Sequence, residues 1–324
     1  MAAKTLPFTK KQIEKIIEQH PTPFHIYDEK AISQNARDLK KAFSWNEGYK
    51  EFFAVKATPN PYLMKILHKE DFGADCSSLT ELILAQKTGI TGEEIMFSSN
   101  DTPAVEFVKA RELNAIINLD DITHIAYLEK HAGLPELICM RYNPGPLKKG
   151  NMIIGHPEEA KYGFTREQLF EGYKICKEKG VRRYGIHAMV ASNELDANYF
   201  VETAEILFEL VAEISQKLKI HFEFVNLSGG VGIPYLPGQE PIDLAAMSRG
   251  VKEQYNKIIV GGGLGPLKIF TECGRYITGP YGYLVSRVLH IKDTYKKFAG
   301  LDANMANLMR PAIYGAYHHI TVMG

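Results

Sequence analysis

Short apolar runs, rich in β-branched and aromatic residues, alternate with longer segments of helical period through most of the chain. There are eight such runs, and a helical segment follows each of the first seven. Strict alternation predicts a parallel sheet, because neighbouring parallel strands need a crossover connection. The predicted strands are 51–57, 72–77, 95–99, 115–119, 136–142, 184–191, 222–227 and 268–272. The predicted helices are 61–67, 79–89, 102–112, 121–131, 165–179, 196–218 and 242–258.

The strand and helix count predicts an α/β fold in which the sheet closes into a (β/α)8 TIM-like barrel. A doubly wound open sheet is the alternative, since periodicity alone does not distinguish the two. The even number of strands and the glycine-rich turns after the last two favour the barrel, which we place at 30–278. We predict that 1–29 with 279–324 form a partial β-type domain, because 23–28 reads as a short strand and 275–324 as β-rich.

The charge balance narrows the range of partners. Among the 324 residues, 38 Lys and Arg balance 38 Asp and Glu, so no net field favours nucleic acid or an acidic membrane surface. No run of about 18 apolar residues is present, and the N-terminus lacks the pattern of a secretory signal. The four cysteines lie far apart without metal-binding spacing, which indicates free, buried thiols. We therefore expect a cytoplasmic protein with a small-molecule ligand, no metal and no membrane contact.

Lys56 is the first candidate for chemistry. It lies at the C-terminal end of the first predicted strand, the end of the strands where barrel enzymes place their active sites. A partly desolvated lysine amine loses its proton more readily and can then attack an aldehyde. The alternative is a surface lysine whose stem covers apolar surface, and taken alone Lys56 fits that alternative better.

Two loops after the seventh and eighth strands change that balance. Gly229, Gly230 and Gly232 follow the seventh strand, where glycine lets backbone N–H groups approach an anion. Gly274 and Arg275 follow the eighth strand. Barrel enzymes frequently bind phosphate with this pair of loops. The glycines could instead serve only as tight turns, but their shared location favours a phosphate site.

Glu272 would complete a site for pyridoxal 5′-phosphate (PLP). A carboxylate beside the pyridine nitrogen keeps that nitrogen protonated, which makes the ring an electron sink for a carbanion. A glutamate that caps a helix or forms a salt bridge is the alternative for this residue.

These residues, in this order, resemble the fold-type III PLP decarboxylases, the alanine-racemase-like barrel group, and most closely the diaminopimelate decarboxylases. The resemblance spans about residues 22 to 319. Residues 54–61 look like the family's lysine motif, in which Lys56 would bind PLP as a Schiff base. Residues 228–233 are similar to the glycine loop that cradles the cofactor phosphate. The resemblance implies a PLP site formed by Lys56, Asp75, Met189, Ser192, Gly229, Gly230, Gly232, Glu272, Gly274 and Arg275.

The most discriminating stretch is 310–318. It is similar to the substrate segment of diaminopimelate decarboxylases, in which an arginine and a tyrosine, Arg310 and Tyr314 in this chain, bind a substrate carboxylate. Residues 272–275 resemble the family's Glu-Pro-Gly-Arg element, whose arginine, Arg275 in this chain, meets the substrate. The resemblance also implies a homodimer.

Three features depart from the family pattern. Met189 stands where the family has a histidine stacked on the pyridine ring, and a thioether packs there without supplying an imidazole. In the same run, His187 is interpreted as a core histidine with one satisfied nitrogen. Asn304 replaces a usual glycine. The sequence also stops before the family's C-terminal Cys-Glu motif and a further tyrosine, so a truncated form or fragment is expected.

The resemblance implies PLP-dependent decarboxylation of an amino acid, with conversion of meso-2,6-diaminopimelate to L-lysine in lysine biosynthesis as the specific expectation. Lys56 and Glu272 would be catalytic, and Arg275, Arg310 and Tyr314 would hold the distal end of the substrate. Decarboxylation of ornithine, arginine or carboxynorspermidine is one alternative. A catalytically inactive PLP-fold regulatory or binding protein is the other, motivated by Met189 and the missing C-terminal elements.

Overall fold

A closed barrel of eight parallel strands in sequential order forms the centre of the computed structural model, which describes residues 6–148 and 155–323. The last barrel strand, Lys268–Thr271, pairs with the first, Lys50–Ala54, so the sheet closes, which confirms the predicted barrel and excludes the open sheet. The strands are β1 (Phe24–Tyr27), β2 (Lys50–Ala54), β3 (Gly73–Cys76), β4 (Ile95–Ser98), β5 (Ile116–Leu119), β6 (Leu137–Tyr142), β7 (Arg183–Ala188), β8 (Phe222–Asn226), β9 (Lys268–Thr271), β10 (Gly282–Val285), β11 (Val288–Asp293) and β12 (Lys297–Leu301).

A helix follows every barrel strand. The four-residue helix Arg275–Thr278 completes the eighth unit, for which no helix is predicted from the sequence, and a π-helical turn, Tyr255–Val260, continues the helix Leu244–Gln254. The helices are α1 (Lys10–Gln19), α2 (Glu29–Ala42), α3 (Pro61–Lys69), α4 (Leu79–Thr88), α5 (Ala104–Glu112), α6 (Thr123–Ala132), α7 (Arg166–Glu178), α8 (Ala197–Leu218), α9 (Leu244–Gln254), α10 (Arg275–Thr278) and α11 (Arg310–Tyr314).

Local sequence signals fix where two of these helices begin. The Asn60 side chain accepts hydrogen bonds from the backbone of the first turn of α3, and Pro61 occupies the first helical position. Thr165 and Gln168 form a reciprocal capping box at the start of α7. Such caps end the preceding loops at defined residues, so the loops at the C-terminal mouth of the barrel have fixed lengths.

Aromatic side chains fill the barrel interior at its N-terminal end. The rings of Phe224 and Phe270 stack with centroids 4.4 Å apart, and Phe52 packs against Phe270 at 5.1 Å. Gly185 leaves room for the Phe224 ring, because a Cβ atom at Gly185 would lie 2.1 Å from that ring. The packed interior makes the barrel a solid core, so a ligand site is expected at its mouth.

The remaining strands are antiparallel and lie outside the barrel. Strand β1 pairs with β10, and β11 pairs with β12 as a separate hairpin. The expected short strand within 23–28 and the β-rich C-terminal region are therefore confirmed in outline. The prediction of β structure is wrong at α10 and α11, where short helices form; Pro311 at the start of α11 lacks the N–H that a strand ladder needs. Residue 324 lies outside the described residues.

None of the helices within residues 6–148 and 155–323 is both long and apolar enough to span a bilayer. All four cysteines are free and buried, as predicted: Cys76, Cys139, Cys176 and Cys273.

Candidate active site

Lys56 lies at the C-terminal mouth of the barrel, but not within the first barrel strand. Strand β2 ends at Ala54, and Lys56 is the central residue of the 3-10 turn Val55–Ala57. Predicting the strand to residue 57 is therefore wrong at its end. Because Lys56 lies in this turn and not in the sheet, its side chain is 59% exposed. Its Nζ lies 3.9 Å from Oδ2 of Asp75. The amine is thus accessible and close to a carboxylate.

Asp75 on β3 is almost completely buried, with 3% of its side chain exposed. Burial raises the pKa of Asp75 well above its ordinary value, the charge of Glu272 raises it further, and Lys56 opposes the rise. Its Oδ1 atom has no hydrogen-bond partner among the described residues. A buried carboxylate oxygen without a donor is costly, so this position is suited to a ligand that donates a hydrogen bond.

Glu272 follows β9 and accepts hydrogen bonds from side chains on two neighbouring strands. His187 Nε2 donates to Oε2 at 3.1 Å, and Asn226 Nδ2 donates to Oε1 at 2.7 Å. Although burial raises the pKa of Glu272, the combined effect of His187, Lys56 and Asn226 lowers it below the ordinary value. Glu272 is therefore held as a carboxylate inside the protein.

Ser228 and Met189 lie beside this carboxylate. The Ser228 hydroxyl is 3.2 Å from Oε2 of Glu272 and 3.0 Å from the sulfur of Met189. Ser228 has φ of 60°, in the left-handed region that residues other than glycine rarely adopt. With His187 and Ser228 at Oε2 and Asn226 at Oε1, the Oε1 atom retains capacity for one further donor.

The glycines after β8 allow the backbone of neighbouring loops to pack closely against this loop. A Cβ atom at Gly229 would lie 2.2 Å from the carbonyl oxygen of Glu272, and one at Gly230 would lie 2.5 Å from that of Ala191. A Cβ atom at Gly232 would meet the carbonyl oxygen of Glu194 at 2.8 Å. Only glycine fits at these three positions, because the loop is packed closely against the backbone of its neighbours.

Gly274 makes the corresponding contact after β9. A Cβ atom there would lie 2.7 Å from the Cβ of Ala57, beside the turn that carries Lys56. The close packing of Gly274 on Ala57 brings the Lys56 turn next to the Glu272 turn. The structure therefore unites the loops after β2, β8 and β9, as expected if one ligand contacts all three.

Arg275, the first residue of α10, points towards the loop after β7. Its Nη2 donates to the Ser192 hydroxyl and its Nη1 to the Tyr235 hydroxyl, each at 3.3 Å. Arg310 lies on the same tyrosine, with its guanidinium carbon 4.5 Å from the ring centroid. Tyr314 is 70% exposed, and within the described residues no hydrogen bond joins it to either arginine. The structure thus brings Arg275, Ser192 and Arg310 together at Tyr235, and it places Tyr314 at the end of α11, the short helix that Arg310 begins.

Sequence reasoning missed several residues of this site. Asn226 and Tyr235 lie within or just after the glycine-rich loop, but only the loop's glycines are predicted as site residues. Arg141, at the end of β6, forms a buried ion pair with Asp120 at 2.6 Å, and its charge lowers the pKa of Asp75. For Asn226 and Arg141 the available signal is position, since each lies at the C-terminal end of a barrel strand.

These residues fit PLP. The orphaned oxygen of Asp75 and the remaining acceptor capacity of Glu272 suit a ligand with polar hydrogens. The glycine-rich turn after β8 is the kind of segment whose backbone N–H groups bind an anionic phosphate group. Lys56 supplies an accessible amine at the same mouth. The fold and this site together define a PLP-dependent enzyme on a (β/α)8 barrel.

Residues 29–279 match the family model for the pyridoxal-binding domain of the pyridoxal-dependent decarboxylases. The chain therefore belongs to the family of PLP-dependent decarboxylases, and PLP is its cofactor.

Relatives and solved structures agree with this assignment. Protein TabA of Pseudomonas amygdali pv. tabaci is 36% identical over 310 residues, covering 96% of this chain and 72% of that protein. The diaminopimelate decarboxylase of Methanothermobacter thermautotrophicus is 33% identical over 311 residues, covering 95% and 72%. The crystal structure of diaminopimelate decarboxylase from Helicobacter pylori complexed with L-lysine has a TM-score of 0.85 at 28% identity, covering 95% of this chain and 77% of that chain.

Proposed function

We propose that this protein decarboxylates meso-2,6-diaminopimelate and releases L-lysine and carbon dioxide. The observation that carries the proposal is the pair of arginines on Tyr235. Arg275 hydrogen-bonds to Ser192 and Tyr235, Arg310 hydrogen-bonds to His318, and neither arginine forms an ion pair with a carboxylate of the described residues. Two guanidinium groups without an acidic partner favour a substrate with a distal carboxylate, which a guanidinium binds in two-point fashion.

The remaining side chains support roles around the cofactor. We propose that Lys56 holds PLP covalently through Nζ, that Asp75 and Glu272 accept hydrogen bonds from it, and that Met189 packs against its ring. When bound, PLP draws electrons away from the carbon that loses the carboxylate. Glu272 is suited to this role because its hydrogen bonds keep it ionised in a buried site.

The phosphate of PLP would rest on the loops after β8 and β9. We propose that the backbone at Gly229, Gly230, Gly232 and Gly274 lies beside it, with the Ser192 hydroxyl and Arg275 next to them, since backbone N–H groups can bind an anion. The N–H of Gly232 itself donates to the carbonyl oxygen of Glu194 at 2.8 Å, so this glycine contributes by allowing the loop to pack closely. Arg275, Arg310 and Tyr314 are proposed to meet the distal end of the substrate.

Lys56 is also suited to return a proton to the substrate carbon after the loss of carbon dioxide. Its Nζ lies at the open mouth and 3.9 Å from Asp75, whose carboxyl group can exchange a proton with it. The expected result is that Lys56→Ala abolishes turnover of bound substrate.

The direct test is incubation of the protein and PLP with meso-diaminopimelate, measuring carbon dioxide and L-lysine. Arg310→Ala should lose this activity far more than it loses PLP binding, and Arg310→Lys, which keeps the charge but not the two-point geometry, should fall between. Equal loss of activity and of PLP binding would contradict the assignment of Arg310 to the substrate.

Decarboxylation of another amino acid is the second candidate, and Met189 favours it because the residue beside the cofactor ring differs from the family pattern. Ornithine and arginine have cationic side chains, so they would leave the arginine pair unpaired. Parallel assays with ornithine, arginine and carboxynorspermidine separate the candidates. A protein that binds no PLP would instead support an inactive regulatory role.

We further propose a homodimer in the cytoplasm, as expected for an amino-acid biosynthetic enzyme of this kind.

A barrel domain at 30–278 is supported by the family model at 29–279. The antiparallel pairing of β1 with β10 supports joining 1–29 with 279–324 in one β-type domain.

A further inference from the structure

Tyr235 contacts both arginines to which the proposed function assigns the distal carboxylate. The guanidinium carbon of Arg310 lies 4.5 Å from the centroid of the Tyr235 ring, and that of Arg275 lies 5.7 Å from it. The Tyr235 hydroxyl also accepts a hydrogen bond of 3.3 Å from Nη1 of Arg275. One aromatic side chain therefore holds two cations that belong to different parts of the chain.

The neutrality of Tyr235 matters for what the pair can bind. Two guanidinium groups held in one cluster repel each other, and a carboxylate between them would relieve the repulsion. That carboxylate would also cancel the attraction for an incoming anion. An aromatic ring attracts each cation through its quadrupole without neutralising it, so the cluster keeps its positive charge for a ligand.

His318 supports Arg310 in the same manner. Arg310 Nη1 donates to Nε2 of His318 at 3.1 Å, and the rings of His318 and Tyr235 meet edge to face with centroids 5.4 Å apart. Since an arginine always donates, Nε2 of His318 is the acceptor in this contact.

The loop that carries Tyr235 is fastened at both sides. Before it, the backbone N–H of Ile233 donates to the Asn193 side chain at 3.0 Å. At Tyr235 itself and at Leu236, the backbone N–H groups both donate to Oε1 of Gln239 at 2.9 Å. The ring is therefore placed before any ligand arrives, and a preplaced group binds without a further ordering cost.

We propose that Tyr235 is a positioning residue that sets the spacing of Arg275 and Arg310 and so selects amino acids whose side chain ends in a carboxylate. The inference rests on the proposed function for the nature of the substrate. Anion binding by the arginine pair, however, is measurable without turnover.

The test uses the PLP-loaded protein and pimelate, the seven-carbon dicarboxylate that matches diaminopimelate in length but has no amine to react with PLP. Calorimetric titration compares wild type with Tyr235→Phe and Tyr235→Leu. The leucine variant should bind pimelate roughly tenfold more weakly because both ring contacts are lost. The phenylalanine variant keeps the ring and should lose about two- to threefold, from its missing hydrogen bond.

Phe170→Leu is the matched control. Phe170 also carries two cations on its ring, with Arg166 at 5.2 Å and Lys217 at 5.0 Å, but on the outside of the barrel. This variant should bind pimelate as wild type does. In turnover of meso-diaminopimelate, the Tyr235 variants should raise KM and leave kcat and the PLP content within about twofold of wild type.

Wild-type affinity for pimelate in Tyr235→Leu, or no pimelate binding by wild type, would overturn the inference. If the leucine variant fails to retain PLP, Tyr235→Phe decides alone, and an unchanged affinity overturns it. Pimelate binding that depends on Tyr235 without decarboxylation of diaminopimelate would sink the proposed function and leave the inference standing. Decarboxylation of diaminopimelate together with pimelate binding that is independent of Tyr235 would overturn the inference and leave the proposed function standing.

Discussion

His187 Nε2 donates a hydrogen bond of 3.1 Å to Oε2 of Glu272, and both side chains are buried. The imidazole is thus the neighbour of Glu272 that most lowers its pKa, against the effect of burial. The other ring nitrogen, Nδ1, has no partner within the described residues. Interpreting His187 as a core histidine with one satisfied nitrogen agrees with this geometry, but the sequence does not reveal that its partner is Glu272.

Replacing His187 should shift the acid limb of the pH profile. In the proposed function Glu272 acts as a carboxylate, so activity should be lost as the pH falls through its pKa, and the lowered pKa keeps that loss at low pH. His187→Leu removes a hydrogen bond to a charged group, which raises the pKa and moves the acid limb of kcat/KM upward by about one pH unit. The measurement is kcat/KM against pH. His124→Leu, which removes another partly buried histidine with an unpaired Nδ1, is the control and should leave the limb in place.

Asp75→Asn should stabilise the PLP-free protein at neutral pH. Because burial raises the folded-state pKa of Asp75, the aspartate costs stability as the pH rises from its unfolded pKa towards the folded one. The asparagine should therefore gain on the order of 1 kcal/mol in free energy of unfolding at pH 7, and the gain should vanish near pH 4. Urea denaturation at several pH values measures it.

Asp71→Asn is the control for that experiment, because it should change the free energy of unfolding in the opposite direction. Hydrogen bonds and charges from Lys50 and Lys40 hold the pKa of Asp71 below its ordinary value despite partial burial. Its removal should cost a few tenths of a kcal/mol, because the ion pairs are exposed, and this loss should appear above about pH 4. A destabilised Asp75→Asn at pH 7 would contradict the account of Asp75.

Gly230→Ala and Gly238→Ala separate backbone strain from packing in the glycine loop. Both glycines have φ of 88°, but a Cβ atom at Gly230 would lie 2.5 Å from the Ala191 carbonyl oxygen, whereas nothing lies within 4 Å at Gly238. Gly238→Ala should cost about 1–2 kcal/mol from strain alone. Gly230→Ala should cost more and also weaken PLP binding. Chemical denaturation and PLP titration give both values, and equal PLP affinity in the two variants would argue against the loop as the cofactor cradle.

The barrel could be predicted from the sequence because its signals are local. Apolar runs bounded by turn residues mark the strands, and the observed β4 and β8 differ from the predicted ranges by one residue at their C-terminal ends. The ends of strands are harder to predict: the chain leaves the sheet directly after Ala54 because a 3-10 turn forms, so Lys56 lies outside the strand. No periodicity signals such a turn.

The contacts of the site could be predicted only where a motif names the residue. Glu272 and the glycines stand in recognisable turns, whereas Tyr235 and Arg141 act through partners distant in sequence. Arg310 contacts Tyr235, which lies 75 positions earlier in the sequence, so this contact depends on tertiary packing.

Borohydride reduction of the PLP-loaded protein, followed by peptide mapping, tests the central claim most directly. An accessible amine at Lys56, facing the Asp75 carboxylate at 3.9 Å, should carry the cofactor. We predict that PLP is fixed to the peptide containing Lys56 and that Lys56→Ala carries none. PLP fixed to a different lysine, or not retained at all, would contradict the account.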